Sequence, residues 1–335
     1  MRLSDLIDPA ELTGYVRASL ADSEANRFAL SAYLPSRPVN DLLYRFQAGG
    51  GGLADAATFR TYDAESPIGD RVGATRVTGE LPPISRKIRL GEYDSLRLRN
   101  ADGAIRDQVF SDAERMALSI AARMELARGE ALSTGKIVLA ENGIVATVDF
   151  GRAAGHTVTA ATPWTTVANA DVINDLSAWV ATYTTTNGEA PGAAIVSTRI
   201  MGLIQRNAKI STSVGSLAGS PGIVTRTGID AAMAAYGLPP LVVNDEQVRV
   251  NGVATRVIPD DRVVFLPATS ADLGAVLYGV TAEASEPGYN LTGSEPGVVA
   301  GSYKSDDPVA VWTKAAAIAL PVLANPDLTF SADVA

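Results

Sequence analysis

The sequence predicts an α+β protein built from one long helix, a hairpin and a separate α/β unit. Apolar residues from Met116 to Ala131 recur at steps of three and four, which indicates a long amphipathic helix. Two short apolar segments, residues 137–140 and 144–148, flank a loop containing Asn142 and Gly143, which indicates a tight hairpin. Helical and strand patterns then alternate from about residue 169 to residue 296, as in a compact α/β unit.

Composition limits the classes of protein that remain. The chain has 335 residues, 47% of them apolar and 19% charged, so it can bury a sizeable core as one large or two closely packed domains. Its formal net charge is -9 and its pI is near 4.8. Because nucleic-acid binding depends on clustered Lys and Arg, this balance argues against a surface that grips a phosphate backbone.

Cysteine and membrane signals are also informative. The chain has no cysteine, so neither a disulfide framework nor a thiolate site is available, which is typical of a cytoplasmic protein. Residues 1–10 lack the apolar core of a signal peptide, and no apolar run approaches the roughly eighteen residues that span a bilayer. We therefore expect no membrane association.

The first fifty residues indicate an arm that lies on another surface. Asp8 and Pro9 mark the start of a helix, and Leu12 and Leu20 belong to its narrow apolar stripe. After residue 26 the pattern loosens into short apolar pieces interrupted by prolines.

A polar hairpin is predicted within residues 58–98. Residues 75–80 and 85–90 are candidate strands on either side of Pro82 and Pro83, and both of their faces are polar. An isolated two-stranded ribbon is marginal in water, so we expect this one to pack on a neighbouring copy of the chain. The alternative is that it folds back on its own domain.

The long helix has clear predicted ends. Ser111 and Glu114 form a capping box, which places the start at Ser111. Arg115, Arg123 and Arg128 are expected on its polar face, and Gly135 is placed to end it in a left-handed conformation.

The middle of the chain is predicted element by element. Helices are expected at residues 172–187, 199–207 and 229–236, a loop at 211–222, and strands at 193–197, 240–243, 262–266 and 275–278. We expect the last three of these strands to lie in one sheet.

The end of the chain is strongly apolar from residue 308 to residue 323 and finishes with a strand to Phe330. Such a segment returns to an earlier sheet, and the hairpin of residues 137–150 is its expected acceptor.

Signals for catalysis are absent or have simpler explanations. Gly129 and Lys136 superficially resemble a phosphate-binding loop, but the glycine spacing is wrong and Ile137 stands where Ser or Thr must bind magnesium. The glycines at residues 49–52 open no helix and indicate a hinge or bulge. The paired acids at residues 260–261 and 306–307 suit turns and helix caps.

Metal chemistry has no support either. The only histidine, His156, lies in a connection rich in Gly and Ala, so no multi-histidine site can form and an exposed loop position is expected. We predict no catalytic residue, no metal site and no cofactor.

Four segments, in this order, resemble the major capsid proteins of tailed phages that share the HK97 fold, and more narrowly the lambda-type branch. They are AESPIG at residues 64–69, EALSTGK at 130–136, VDFGR at 148–152 and DPVAVWTKAAAIALPVLANPD at 307–327. The order of arm, polar hairpin, long helix with hairpin, inserted α/β unit and returning strand is also similar, so the resemblance covers essentially the whole chain.

The resemblance implies an HK97-like capsid fold in five parts. These are an N-arm at residues 1–50, an extended E-loop at 51–100, a peripheral domain with spine helix and hairpin at 101–163, an axial α/β domain at 164–295, and a return to the peripheral domain at 296–335. It implies a major capsid protein, not an enzyme, that self-assembles as pentamers and hexamers into the icosahedral head shell around the phage genome.

The resemblance also implies partners and a location. The partners are other copies of the chain, a separate scaffolding protein, a portal and, as in lambda-like shells, a decoration protein. Double-stranded DNA lies inside without sequence-specific binding. The protein would be located in the virion capsid and assembled in the host cytoplasm.

Three points stay open at the level of sequence. Some proteins of this fold cross-link through an E-loop lysine, and Lys87 is the only lysine of residues 58–98, but no matching asparagine or catalytic acid is identified. An encapsulin-type compartment, which packages an enzyme instead of a genome, is the first alternative function. A soluble α/β enzyme is the second, and it requires a convergent polar pocket in the axial domain.

Overall fold

The computed structural model describes residues 7–48, 59–62, 75–98, 103–141, 143–214, 223–269, 272–289, 291 and 295–335. Within these residues the helices are α1 (Pro9–Asn26), α2 (Glu92–Leu98), α3 (Ala104–Thr134), α4 (Val172–Asn187), α5 (Thr198–Arg206), α6 (Ala208–Ser213) and α7 (Arg226–Ala235). The strands are β1 (Ser36–Pro38), β2 (Leu43–Ala48), β3 (Thr75–Glu80), β4 (Pro83–Leu90), β5 (Lys136–Glu141), β6 (Ile144–Asp149), β7 (Thr157–Thr159), β8 (Ala193–Val196), β9 (Leu241–Val243), β10 (Gln247–Val250), β11 (Val253–Arg256), β12 (Arg262–Leu266), β13 (Gly274–Tyr278), β14 (Val299–Asp306), β15 (Val309–Leu323) and β16 (Phe330–Asp333). The glycines at residues 49–52 and the AESPIG segment lie outside the described residues.

Two five-stranded sheets organise these elements. Sheet A is built around β15, which pairs with β4, β13 and β14, while β1 extends the sheet beyond β13. Sheet B has the strand order β7-β16-β12-β8-β9. The pairs β2–β3, β5–β6 and β10–β11 form separate ribbons.

Two apolar cores lie against the two sheets. The first core lies between α1, α3 and sheet A and includes Leu12, Met116 and Leu320. It also contains residues of β8 and β12, so sheet B contributes to both cores. The second core lies between sheet B and the helices of the middle unit and includes Trp164 and Phe330. Two adjoining cores of helices packed on sheets fit two closely packed domains.

The start of α1 is confirmed. The Asp8 carboxylate accepts a hydrogen bond from the Ala10 amide at 3.1 Å, and Pro9 occupies the first turn, where a missing amide costs nothing. Leu12 and Val16 are completely buried where α1 packs on α3 and β14. The described part of the predicted arm is therefore packed against the first core.

Thr13 joins α1 to the edge of sheet A. Its hydroxyl donates to the Ala300 carbonyl at 3.0 Å and accepts from the Ala300 amide at 3.1 Å. Because β14 ends the sheet on this side, this hydroxyl satisfies backbone groups that no described strand pairs.

Replacing Thr13 with Val keeps the shape of the side chain and removes its hydroxyl. We expect the free energy of unfolding to fall by about 1–3 kcal/mol, because the buried amide and carbonyl of Ala300 lose their partner. Denaturant unfolding measures the loss. Thr13→Ser keeps the hydroxyl, and equal losses for the two variants would refute this explanation.

The long helix α3 begins earlier than the sequence indicates. It starts at Ala104, after Gly103, so the capping box predicted at Ser111 is wrong and Ser111 lies inside the helix. Val109 is buried and the Phe110 ring contacts Tyr15 of α1 at 5.1 Å between centroids. These tertiary contacts stabilise two further turns that local propensity does not reveal.

The end of α3 and the hairpin after it are confirmed. Gly135 has a φ of 72° and its amide donates to the Ala131 carbonyl at 2.8 Å, as in a left-handed helix cap. The following ribbon pairs Glu141 with Ile144, so the hairpin occurs as predicted but Glu141 belongs to its strand and not to the predicted loop of residues 141–143.

The polar hairpin predicted around Pro82 and Pro83 is wrong in its pairing. Residues 75–80 and 83–90 are both strands, but β3 pairs with β2 in a ribbon whereas β4 pairs with β15 of sheet A. Pro83 is thus the first residue of a strand that joins the first core.

The α/β pattern of the middle is confirmed except for one strand. The helices α4, α5 and α7 and the strands β8, β9 and β12 occur close to the predicted positions. The strand at residues 275–278 does not share their sheet, because β13 pairs with β15 and β1 of sheet A. Part of the predicted loop at 211–222 is helical, since α6 extends to Ser213.

The terminal segment does return to earlier sheets, but the predicted acceptor is wrong. No described strand outside β5–β6 pairs with that hairpin. Instead β15 runs through sheet A, and β16 pairs with β12 and β7 of sheet B. The end of the chain therefore contributes to both cores.

His156 is buried, so the predicted exposed position is wrong. Its ring is 1% exposed, with Nδ1 3.2 Å from the Thr329 carbonyl and Nε2 3.0 Å from the Thr186 hydroxyl. It packs beside Tyr183 and Phe330. The Gly and Ala residues around His156 in the sequence indicate a connection. They do not show that this connection packs against a core.

Candidate functional site: the junction between the N-terminal segment and the long helix

The most deeply buried charges of the described residues lie where the segment after α1 crosses α3. The side chains of Glu125 and Arg128 are fully buried, and that of Glu24 is 12% exposed. One Arg128 nitrogen lies 2.7 Å from a Glu24 oxygen, and another lies 3.1 Å from a Glu125 oxygen. We call these three residues the ionic junction.

Backbone groups complete the ionic junction. The Glu125 carboxylate accepts from the Leu30 amide at 2.7 Å, and Arg128 donates to the Leu34 carbonyl at 2.9 Å. Arg128 also donates to the Ser36 hydroxyl at 3.0 Å. The turn after α1 is thereby tied to the middle of α3 by charged hydrogen bonds, which are stronger than neutral ones.

A third acid shifts the protonation of the ionic junction. Glu246, just before β10, accepts from the Ala29 amide at 3.4 Å and faces Glu125. Burial raises the pKa of Glu125 to about 7, against the opposing effect of Arg128. Burial also raises the pKa of Glu246, while a hydrogen bond with Glu125 lowers it. One guanidinium therefore faces more carboxylates than it can neutralise.

The ionic junction predicts a pH dependence of stability. The pKa of Glu125 in the folded protein lies above the usual glutamate value of 4.5, so the folded protein binds an extra proton between these two values. Stability is therefore lost as pH rises through about 7. Glu125→Gln removes this titrating group and leaves Glu24, Arg128 and Glu246 unchanged. We expect its melting temperature to fall less than that of the wild type between about pH 5 and about pH 8. Equal pH profiles would show that Glu125 does not titrate in this range.

Sequence reasoning missed this site. It placed Arg128 on the polar face of the helix, which is wrong because the side chain is fully buried. The available signal was that Glu125 and Arg128, three residues apart, occupy the same face as buried Leu132.

A second arginine binds the carbonyl end of α3. Arg152, in the predicted motif VDFGR, donates to the carbonyls of Ala131, Leu132 and Ser133 at 2.5–3.2 Å. A cation at the carbonyl end of a helix is favoured by the helix dipole. Gly129, the first glycine of the rejected phosphate loop, instead packs on the Val257 backbone.

Lys87, the candidate cross-linking lysine, lies on a strand of sheet A. It is exposed on β4, opposite Lys314, and its ammonium lies 4.6 Å from the centre of the Trp312 ring. The nearby acid Glu283 is bonded to Lys314. No group of three or more metal-ligating side chains occurs among the described residues, and none of their helices is long and apolar enough to cross a membrane.

Comparison with known families gives the identity of the fold. The family model for phage major capsid protein E matches residues 10–334. The chain belongs to this family. A search among characterised proteins gave no significant match.

Solved structures agree with this phage capsid family in fold. A protein assigned as the capsid protein of a prophage of Escherichia coli CFT073 superposes with a TM-score of 0.67 at 15% identity, covering 100% of both chains. A phage-related protein of Bordetella bronchiseptica RB50 superposes with a TM-score of 0.58 at 12% identity, covering 98% of this chain and 97% of the other. The predicted HK97-like α+β fold and the predicted lambda-type capsid family are confirmed.

Membership of the family also decides the general function. The chain is a structural protein of a phage capsid, and it associates with its own copies to form the shell. This favours the phage head over the encapsulin-type compartment and over the soluble α/β enzyme.

Proposed function

We propose that the protein assembles as pentamers and hexamers into an icosahedral head shell around double-stranded DNA. The match of the family model to residues 10–334 carries this proposal, because it leaves no large part of the chain for another activity. Repeated contacts between identical subunits suffice for such a shell, since symmetry multiplies each weak contact. The shell protein has no catalytic residue in this proposal, and Lys87 forms no cross-link.

The two cores support the proposed division of the chain into a peripheral and an axial domain. The first core, with α3 as the spine, corresponds to the peripheral domain expected from residue 101 to residue 163. The second corresponds to the axial domain expected from residue 164 to residue 295. The proposed return segment, residues 296–335, divides between the two cores. Its strands β14 and β15 lie in sheet A beside the first core, and β16 lies in sheet B beside the second. The N-arm at residues 1–50 and the E-loop at 51–100 would reach neighbouring subunits.

Further partners belong to the same proposal. A separate scaffolding protein would guide assembly in the host cytoplasm, a portal would occupy one vertex, and a decoration protein would bind the finished shell. The net charge of -9 supports DNA that is enclosed without sequence-specific contacts.

Electron microscopy and light scattering test the proposal directly. We expect polyhedral particles when the chain is expressed with its scaffolding protein, and monomers or dimers alone under those conditions would refute it. The contents of the particles distinguish a phage head from an encapsulin-type compartment. Shells that lack a portal and hold a cargo enzyme would indicate the compartment.

A further inference from the structure

A groove crosses the exposed side of α3. It has a volume of about 930 Å³. Its floor consists of the half-buried apolar side chains Leu118, Ala122 and Leu126, which follow at four-residue steps along one face of the helix. Phe28 and Val250 line its sides. This apolar strip is not covered by any described segment of the chain.

The rim of the groove is basic. Its lining includes four arginines, Arg27, Arg86, Arg123 and Arg249, and a single carboxylate, that of Glu141. Arg123 and Glu141 pair at 3.1 Å, and Arg27 interacts with Glu246 beside the groove, which leaves Arg86 and Arg249 without an ion pair among the described residues. In a chain of net charge -9, such a concentration of positive charge favours an acidic partner.

An apolar surface is exposed on α2. Tyr93 and Leu96 are 76% and 60% exposed, and their spacing of three residues places them on one side of the helix. The Glu92 carboxylate accepts from the Val309 amide at 3.1 Å, which joins α2 to the turn between β14 and β15. Val309 is itself 44% exposed. Clusters of exposed large apolar side chains mark interaction sites.

This corner of the molecule is rich in acids. Asp94 of α2 and Asp306 and Asp307 of the turn are exposed, together with Glu92. Arg97 is the only basic residue of α2. We call α2 and the turn at residues 306–309 the acidic corner.

We propose that the acidic corner of one subunit docks in the arginine-rimmed groove of a neighbouring subunit. Tyr93 and Leu96 would cover the apolar floor while carboxylates meet Arg86 and Arg249 of the rim. The groove and the corner are different patches, so the contact is heterologous and can repeat around a ring. This inference rests on the proposed shell function and identifies one of the surfaces that builds the shell.

A phosphate backbone fits the groove less well than this occupant. Nucleic acid would satisfy the arginines, but it has no apolar group for the strip of Leu118, Ala122 and Leu126. The acidic corner supplies both kinds of contact, and every subunit carries one.

Site-directed cross-linking tests the contact, because the chain has no cysteine of its own. Assembled Leu96→Cys, Ala122→Cys subunits treated with a short bis-maleimide should give a ladder of covalent oligomers on a denaturing gel. The matched control, Leu96→Cys with Arg115→Cys, has its second thiol on the same helix outside the groove lining and should give little ladder. Equal ladders, or a cross-link from Ala122→Cys to a different polypeptide, would overturn the proposal.

Charge exchange provides a second measurement. Arg86→Glu with Arg249→Glu should raise the subunit concentration needed for assembly by at least about tenfold, because carboxylates then face carboxylates. Asp94→Lys with Asp306→Lys should do the same, and all four changes together should restore much of the assembly. The control Arg115→Glu with Arg206→Glu makes the same change in net charge outside the groove.

The results distinguish this inference from the function on which it rests. If the wild type forms no shells, the proposed function fails. If the wild type and both double variants form shells equally well, the shell function stands and the docking contact is wrong. If a double variant loses its fold by circular dichroism, the cross-linking experiment decides alone.

Discussion

Replacing Arg128 with Met is expected to lower the free energy of unfolding by about 3–5 kcal/mol, because it leaves buried carboxylates without their counter-charge. Glu125 is fully buried and Glu24 nearly so, and neither has another basic partner among the described ion pairs. The Leu34 carbonyl also loses its donor. Denaturant unfolding of the unassembled subunit at about pH 8, above the pKa of about 7 that Glu125 has beside Arg128, measures the loss.

Two comparisons separate burial from charge in this prediction. Arg115→Met breaks an ion pair with Asp112, also three residues apart on α3, but Arg115 is 68% exposed and we expect a loss below about 1 kcal/mol. Arg128→Met combined with Glu24→Gln and Glu125→Gln removes the unpaired charges and should recover much of the stability. Similar losses for Arg115→Met and Arg128→Met would mean that the ionic junction contributes no more than a surface pair.

The ionic junction also bears on how the N-terminal segment works in the shell. It fixes the chain at Leu30, at Leu34 and at Ser36, which is the first residue of β1 in sheet A. A segment held by buried charges at these points moves with the first core. Any arm motion during assembly is therefore expected on either side of this anchored stretch rather than within it.

Local sequence predicted the elements of this fold better than their partners. Helix α4, the end of α3 at Gly135 and the ribbon around Gly143 each depend on neighbours within a few residues, so periodicity and turn chemistry suffice. The pairing of Lys87 with Lys314 joins residues far apart in the chain, and no local pattern specifies it. The same reason explains why β13 was assigned to the wrong sheet.

The ionic junction could not be predicted from the sequence for a different reason. Charged residues on a helix are usually solvated, so Glu125 and Arg128 predict a polar face unless their partners are known. Those partners, Glu24 and the backbone at Leu34, come from a segment about ninety residues earlier. His156 is a similar case, since its burial depends on Thr329 near the end of the chain.

Replacing Gly129 with Ala is expected to destabilise the protein by about 2–3 kcal/mol, although Gly→Ala in a helix normally stabilises. A β-carbon at this position would lie 2.0 Å from the Val257 carbonyl oxygen and 2.7 Å from its carbonyl carbon. Both atoms belong to the backbone between β11 and β12, so no side-chain rotation relieves the contact. The helix and the segment leading into sheet B must therefore separate.

Gly202 of α5 is the matched control for this change. It is also a helical glycine, but a β-carbon there meets nothing within 4 Å. We expect Gly202→Ala to raise the free energy of unfolding by about 0.5–1 kcal/mol, so the two substitutions should have opposite signs in denaturant unfolding. A stabilising Gly129→Ala would show that the spine helix does not lie against Val257. At this contact the spine helix meets the connection that leads from β11 into sheet B. A subunit in which this contact is loosened should therefore also need a higher concentration than the wild type to assemble.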